Sequence, residues 1–335
     1  MAAQYRVARD TLRRAMNVLE NRGAVTRRRG RGTFLMPIQP KARSARGATI
    51  GFVLPWWAQS VHEWYVANVF DGASAWASEH ECHLSMLKVP RRADDEHKLL
   101  KTVADRNLDG LVWMHAVPEQ VGLLTALSRH LPCVVIGREY PDHELHAVVP
   151  DYQQAAILID RHLVGKGHRI YSVVGRSPAD PYGEIWLEGV DEAHRARGSQ
   201  FDFSAYYVNI TPFDRDRMAD LLLDFHLTFT KDSAALVLTS SSYLIPLVAS
   251  ERFREKVPRE LSVVAFDYGA QAMGTYWPGR CVTHVRCAWD AIGKRAMDVL
   301  FQLLESKDAP RVIREPVEFV DGDTVAPRRQ EAGLS

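Results

Sequence analysis

The sequence has few cysteines, and no long hydrophobic run is found in it. Its four cysteines contain no C-x-x-C pair, so neither a zinc ribbon nor a disulfide framework is predicted, and a reducing compartment fits best. No stretch of about eighteen apolar residues occurs, and residues 1–14 contain no apolar signal-peptide core. We therefore expect a cytoplasmic protein with no membrane partner.

Patterns typical of catalysis and metal binding are also missing. Residues 165–167 (Gly-Lys-Gly) lack the preceding glycine spacing of a phosphate-binding loop, and residues 175–179 lack the second glycine of a nucleophile elbow. The His-Glu-Cys-His run at 80–83 lies at a predicted helix-to-strand junction, with no partner cluster elsewhere. The sequence therefore predicts no enzyme, no catalytic residue, no metal site and no cofactor.

Positive charge is concentrated at the N-terminus, although the net charge of the whole chain is only +1. Residues 1–47 carry twelve lysines or arginines against Asp10 and Glu20, whereas the remainder has 30 basic and 39 acidic residues. A dense basic segment beside an acidic body is expected where the segment contacts a phosphate backbone. Composition alone leaves open a basic tail that is merely solvated.

The basic segment has a regular pattern. Apolar residues recur at i, i+3, i+4 and i+7 between residues 9 and 21, which predicts an amphipathic helix with Arg9, Arg13, Arg14 and Asn17 largely on its outer surface. Gly23 is a stop signal, and residues 24–27 and 33–35 are then predicted as two short strands around an arginine- and glycine-rich turn. The prediction is a helix followed by a hairpin with arginines at its tip.

Residues 5–15, 19–25 and 30–34 resemble the second half of a GntR-type winged helix-turn-helix. Met1 falls inside the expected motif, so the resemblance covers an N-terminally incomplete domain, and Ala8 stands where the family usually has serine. Arginine side chains can bridge guanine edges or phosphates, and glycines let the wing approach the duplex closely. The resemblance implies DNA contacts from the helix and the wing by Arg9, Thr11, Arg13, Arg14, Arg31 and Gly32. A helix and hairpin that only cap the main domain are the alternative.

The rest of the chain alternates between short β-rich runs and amphipathic helices. Residues 39–47 are small, basic and proline-containing, which is typical of a linker. The β-rich runs beyond it are residues 49–54, 83–89, 110–114, 133–136, 170–174, 235–238 and 261–266. This alternation predicts an α/β fold with parallel sheets, and so long an array divides naturally into two lobes.

A second resemblance covers residues 48 to about 328. The motifs that carry it include Ile-Gly-Phe-Val at 50–53, Leu-Asp-Gly-Leu-Val at 108–112 and Ser-Val-Val-Ala-Phe-Asp at 262–267. They resemble the periplasmic-binding-protein-like sensor of the LacI/GalR family, and a GntR-like reader joined to it is similar to arabinose-repressor-like regulators. The implied organisation is a partial winged helix-turn-helix at 1–38, a linker at 39–47 and a two-lobed sensor at 48–330. Lobe 1 would span about 48–149 and 284–311, and lobe 2 about 150–283 and 312–330.

Candidate ligand residues follow the predicted strands, because doubly wound sheets bind ligands beyond the carboxyl ends of their strands. An aromatic cluster after the first strand includes Trp56, Trp57 and Trp64, with Gln59 and Tyr65 beside them. Aromatic faces stack on sugars and nucleobases, so the cluster predicts a ring-shaped ligand. Packing in the core is the alternative for some of these rings.

Four further candidates lie at later strand ends or on a later helix. The LacI/GalR resemblance implies that the Asp267 carboxylate hydrogen-bonds the ligand, and Ser240 stands where the family tends to have Asn-Asp. Arg138 either contacts the ligand or forms a surface or inter-lobe salt bridge. Trp186 stands where many members place a ligand-binding arginine, which favours a neutral ring such as a sugar.

These observations predict a DNA-binding transcriptional regulator, a homodimeric repressor whose operator affinity is controlled by a small ligand held between two lobes. Its partners would be operator DNA and a monosaccharide or derivative. The ligand would act through different affinities for two states, and dimerisation would supply two readers for two half-sites. A stand-alone cytoplasmic sugar-binding protein with a vestigial DNA-binding segment is the alternative.

Overall fold

The computed structural model places two parallel sheets, wrapped by helices, after an N-terminal hairpin. The described residues are 13, 17, 25–28, 32–35, 47–55, 64–88, 99, 102–103, 105–168, 171–175, 181–198, 207–209, 220, 223, 235–240, 243–267 and 277–328. The two-lobed α/β architecture predicted from the sequence is confirmed.

The predicted hairpin is present near the N-terminus. Strands β1 (Val25–Arg28) and β2 (Gly32–Leu35) pair in antiparallel register, with Val25 opposite Leu35 and Arg28 opposite Gly32. Arg13 and Asn17 are both helical and exposed, as the amphipathic pattern predicts.

The first sheet has the order β13-β7-β6-β5-β3-β4, and all its neighbouring strands are parallel. Its strands are β3 (Thr49–Leu54), β4 (His83–Lys88), β5 (Gly110–Met114), β6 (Cys133–Ile136), β7 (His146–Pro150) and β13 (Val312–Glu315). Helices α1 (Trp64–Glu79), α2 (Pro118–Ser128) and α7 (Trp289–Leu304) pack around this sheet. We call this unit lobe 1.

The second sheet has the order β14-β12-β11-β10-β8-β9, and its edge strand β14 runs antiparallel to β12. Its strands are β8 (Ser172–Gly175), β9 (Tyr207–Asn209), β10 (Ala235–Leu238), β11 (Ser262–Phe266), β12 (Thr283–Cys287) and β14 (Val317–Val320). The helices of this unit, lobe 2, are α3 (Tyr152–Gly165), α4 (Pro181–Ala196), α5 (Leu244–Ala249) and α6 (Glu251–Lys256).

Two strands show where the chain crosses between the two sheets. Strand β12 pairs with β11, with Val264 opposite Thr283, so the chain leaves the second sheet after Cys287. Strand β13 pairs with β7, with Val312 opposite Ala147, so the chain leaves the first sheet after Glu315. Backbone pairing of these short strands therefore decides where the chain crosses between the lobes.

Alternate residues of the central strands enter separate apolar cores, as the two-residue period of a strand requires. In β11, Val264 belongs to the core that is continuous with lobe 1, whereas Val263 and Ala265 belong to a second core on the opposite face. Both faces of this sheet are covered, which explains why its strands are uninterrupted apolar runs. No helix in the described part of the chain is long and apolar enough to cross a membrane.

Helices α1 and α7 cross at two glycines, and this crossing positions their first turns. A Cβ at Gly293 would overlap the carbonyl oxygen of Val69, and one at Gly72 would overlap that of Asp290. Glycine therefore allows the two backbones to touch. The close contact fixes the starts of both helices beside the ends of the lobe 1 strands.

Candidate functional site

Three strands are each followed by a residue with a left-handed backbone conformation, and each of these residues lies at the carboxyl edge of its sheet. His115 follows β5, Gly137 follows β6 and Asp267 follows β11, with φ angles of +44°, +84° and +56°. Left-handed backbone is uncommon for residues other than glycine, and such residues cluster at functional sites. We call the residues gathered here, Tyr65, His115, Arg138, Asp267 and Trp289, the strand-end site.

Glycine is required at position 137 because the residue that follows the neighbouring strand β5 lies very close to its backbone. A Cβ at this position would overlap the imidazole ring of His115, and the φ of +84° already favours glycine. The carbonyl oxygen of Gly137 accepts a hydrogen bond of 2.8 Å from the hydroxyl of Tyr152, the first residue of α3. This bond joins lobe 2 to the end of a lobe 1 strand.

Three rings from lobe 1 form an aromatic triad, Tyr65, His115 and Trp289. Tyr65 meets His115 edge to face with ring centroids 5.3 Å apart, and it lies 5.1 Å from the ring of Trp289. The rings of His115 and Trp289 are 6.1 Å apart. The triad combines the first turns of α1 and α7 with the residue that ends β5.

The carboxyl group of Asp267 lies against this triad from the side of lobe 2. The indole nitrogen of Trp289 donates a hydrogen bond of 2.7 Å to its Oδ1 atom, and the residue is only 7% exposed. Burial raises the pKa of Asp267 from 3.8 to about 7, against the opposing effect of hydrogen bonds from Trp289 and Cys287. The site therefore contains a carboxyl group that changes charge near neutral pH.

Histidine and arginine in the site differ in charge. Burial lowers the pKa of His115 to about 3, with a smaller contribution from the positive charge of Arg138. The imidazole is therefore neutral at physiological pH, whereas the guanidinium of Arg138 is a permanent cation. Arg138 is 7% exposed and follows β6 directly after Gly137. The strand ends thus bring together aromatic faces, one titratable acceptor and one cation.

Trp186 on helix α4 packs against Phe266, the residue that precedes Asp267. Its ring packs edge to face on Phe266 with centroids 5.2 Å apart, and Phe266 in turn lies 5.4 Å from the ring of Tyr152. Trp186 is 1% exposed, and its indole N–H has no acceptor within the part of the chain that the structure describes. A buried donor left without a partner costs about 1–3 kcal/mol.

Comparison with protein families identifies the two-lobed unit. Residues 48–207 match the model of the periplasmic binding proteins and sugar binding domain of the LacI family, and residues 161–325 match a periplasmic binding protein-like domain. Together the two matches span residues 48–325, which we call the LacI-type domain. Residues 1–35 give a weak, partial match to the bacterial regulatory proteins of the gntR family.

Named relatives of the chain are regulators of transcription. The arabinose metabolism transcriptional repressor of Halalkalibacterium halodurans is 26% identical over 79% of this chain and 72% of its own length. The repressor of the same name from Geobacillus stearothermophilus is 22% identical over 93% of this chain and 85% of its own length. The chain is a ligand-responsive transcriptional regulator and not an enzyme.

Solved structures share the fold of the LacI-type domain. The transcription regulator CcpA of Lactococcus lactis is 21% identical and superposes with a TM-score of 0.70, covering 84% of this chain and 100% of that one. A complex of the transcriptional regulator CelR with cellobiose is 17% identical, with a TM-score of 0.71 over 95% of this chain and 91% of that one.

The LacI-type domain gathers two predicted ligand residues at its strand ends, Arg138 and Asp267. Trp186 is buried against the residue preceding Asp267, and Ser240 is half-buried just after β10. Trp64 opens α1, and nothing is described of its side chain. Trp56, Trp57 and Gln59 lie outside the described residues. The ligand-binding roles of all eight residues stay predictions.

The predicted DNA-binding residues lie before the LacI-type domain. Arg13 is helical and exposed, and Gly32 opens β2. The other four, Arg9, Thr11, Arg14 and Arg31, lie outside the described residues. Their DNA contacts also stay predictions.

Sequence reasoning missed two members of the aromatic triad in the LacI-type domain. His115 directly follows the apolar run 110–114, so the rule that selected Asp267 after β11 would also have selected it. Trp289 follows β12 after one intervening residue, and the same rule applied more widely would have found it. Their contact with each other, by contrast, depends on the packing of α7 against β5.

Proposed function

We propose that the chain is a repressor whose affinity for operator DNA is controlled by a monosaccharide, or a derivative of one, bound at the strand-end site. The observation that carries this proposal is the aromatic triad beside the buried carboxyl group of Asp267. Aromatic faces pack against the apolar faces of sugar rings, and a carboxylate accepts hydrogen bonds from hydroxyl groups. Each such charge-assisted bond contributes about 1.5–3 kcal/mol.

Two side chains around the site favour an uncharged, ring-shaped ligand. Trp186 offers a buried N–H donor where an ether or hydroxyl oxygen of a sugar could accept, and His115 is uncharged. The names of the two arabinose repressors and the cellobiose complex of a structural neighbour support a sugar effector. Arabinose is therefore the first sugar to test.

The N-terminal 38 residues would read DNA in the manner of a GntR-type winged helix-turn-helix. Support comes from the excess of positive charge in residues 1–47, the exposed helical Arg13 and the β1–β2 hairpin. Contacts of this kind release counterions from the phosphate backbone, so binding should weaken steeply as salt increases. Two readers on a homodimer would match two half-sites of an operator.

The effector and the operator would then be coupled through two arrangements of the lobes. A ligand shifts such an equilibrium only by its difference in affinity for the two states, and the coupling is reciprocal. Coupling free energies of about 1–3 kcal/mol are usual, so arabinose should change operator affinity by roughly 5- to 150-fold.

The deciding experiment measures binding of the chain to DNA from upstream of its own gene, at two salt concentrations, with and without a panel of monosaccharides. We expect Arg13→Ala to weaken DNA binding and its salt dependence while leaving sugar binding unchanged. Asp267→Asn should remove the sugar response and retain DNA binding. Arg195→Ala, which removes an exposed arginine paired with Asp191 on α4, is the control and should change neither. Sugar binding without any DNA binding would contradict the proposal.

A further inference from the structure

The hydrogen bond between Trp289 and Asp267 joins the two lobes through two side chains of the strand-end site. Trp289 opens α7, which packs on the lobe 1 strands β5, β6 and β7, and Asp267 ends β11 in the sheet of lobe 2. The 2.7 Å bond from the Trp289 indole to the Asp267 carboxyl therefore bridges the lobes beside the crossing that follows Cys287.

Each partner of this bond is packed or hydrogen-bonded within its own lobe. The Trp289 ring is 3% exposed and packs on Tyr65, while the crossing of α1 and α7 at Gly293 fixes the start of its helix. The backbone N–H of Asp267 donates to the carbonyl oxygen of Val285 at 2.8 Å, which ties it to the neighbouring strand. We therefore expect movement of one lobe against the other to break the bond.

We propose that the Trp289–Asp267 hydrogen bond is an inter-lobe latch that the effector has to displace, and that the charge on Asp267 sets its strength. The role of the effector in this inference rests on the proposed function, because Asp267 is also the proposed acceptor for a sugar hydroxyl. A carboxylate already engaged by Trp289 has less acceptor capacity to offer a ligand. The latch thereby favours the arrangement of the lobes without effector.

The charge dependence follows from the groups that surround the bond in the described part of the chain. Cys287 on β12 hydrogen-bonds Asp267, and burial together with the nearby carboxylate raises the pKa of its thiol well above the ordinary value. His115, across the ring of Trp289, stays neutral because burial lowers its pKa to about 3, and Arg138 next to it stays charged. Among these groups Asp267 alone changes charge between pH 6 and 8, since burial raises its pKa to about 7. Deprotonation makes the bond charge-assisted and therefore stronger.

The first test uses the chain without any ligand. Indole ¹⁵N–¹H spectra contain signals from the eight tryptophans, and the Trp289 signal is identified by its loss in Trp289→Phe. We expect this signal to move between pH 6 and 8 with a midpoint near 7, and to stop titrating in Asp267→Asn.

A matched control is available on the same pair of helices. The indole of Trp76 on α1 donates to the Asp298 carboxylate on α7 at 2.6 Å, which is another tryptophan–aspartate bond but one contained within lobe 1. Its signal, identified by Trp76→Phe, should keep its position in Asp267→Asn. A Trp289 signal that neither titrates near pH 7 nor responds to Asp267→Asn overturns the latch.

The second test measures the dissociation constant of arabinose. If the latch opposes the effector, Trp289→Phe keeps an aromatic ring, removes the competing donor and binds arabinose at least fivefold more tightly, whereas Trp76→Phe leaves the affinity unchanged. Weaker binding by Trp289→Phe would mean that the indole N–H supports the ligand instead of competing with it for Asp267, and it would overturn the inference. Failure of every variant to bind arabinose would refute that effector, while the ligand-free spectra would still decide whether the latch exists.

Discussion

Replacement of Asp267 by asparagine should stabilise the protein above neutral pH. The folded state holds the Asp267 carboxyl with a pKa of about 7, whereas the ordinary value is 3.8. Between these two values the folded state binds more protons than the unfolded state, so the free energy of unfolding falls as pH rises through this window. At about 1.4 kcal/mol for each pH unit, the wild type loses up to roughly 4 kcal/mol between pH 3.8 and pH 7, of which up to roughly 3 kcal/mol is lost above pH 5.

Asparagine has nearly the same shape as a protonated aspartic acid, and its side-chain oxygen can still accept the hydrogen bond from Trp289. Asp267→Asn should therefore match the wild type at pH 5 and exceed it in free energy of unfolding by up to roughly 3 kcal/mol at pH 8, because the wild type loses stability over the two pH units between 5 and 7. Urea unfolding at pH 5, 6, 7 and 8 measures the difference. The exposed residue Asp308 supplies the control, since Asp308→Asn should change stability by less than about 0.5 kcal/mol at each pH.

The refuting result is a difference between Asp267→Asn and the wild type that is the same at pH 5 and pH 8. That outcome would mean that the carboxyl is ionised throughout this range, so burial would not be the dominant influence on its pKa. A variant that is less stable than the wild type at pH 8 would show instead that the carboxylate is stabilising in the ligand-free fold.

Three further perturbations follow from the packing. Gly293→Ala should lower the free energy of unfolding by more than about 2 kcal/mol, because its Cβ would overlap the Val69 carbonyl. Gly122→Ala, on the open face of α2, should instead raise the free energy of unfolding by about 0.5–1 kcal/mol. Urea unfolding measures both changes. The free energy of unfolding of the wild type falls as pH falls from 6.5 to 3, because the folded protein keeps His115 neutral while the unfolded chain protonates it. His115→Gln should make this decrease smaller. Trp186→Phe should weaken arabinose binding roughly tenfold by calorimetry, since it removes the buried donor and keeps an aromatic ring.

Local sequence pattern was sufficient for the strands and for part of the site. The strands at 49–54, 110–114, 133–136 and 235–238 begin and end where the apolar runs do, since strands buried on both faces require uninterrupted apolar residues. Asp267 could be selected because a carboxylate that ends such a run lies at the carboxyl edge of a parallel sheet.

Two other features depend on contacts between distant segments. The strands at 283–287 and 312–315 are both short and both mix polar with apolar residues. The first belongs to the sheet of lobe 2 because it pairs with β11, and the second belongs to the sheet of lobe 1 because it pairs with β7. The meeting of Tyr65, His115 and Trp289 likewise requires three segments to converge, and no local pattern encodes which rings will touch.

The sequence by itself determined the α/β class, the basic N-terminal segment and the strand-end positions of Arg138 and Asp267, because periodicity and charge are local properties of the chain. Tertiary structure decided that Trp289 reaches the carboxyl of Asp267 from the other lobe and that this carboxyl is buried. The physical reason is that desolvation and inter-lobe hydrogen bonding exist only after the two sheets and their helices have packed together.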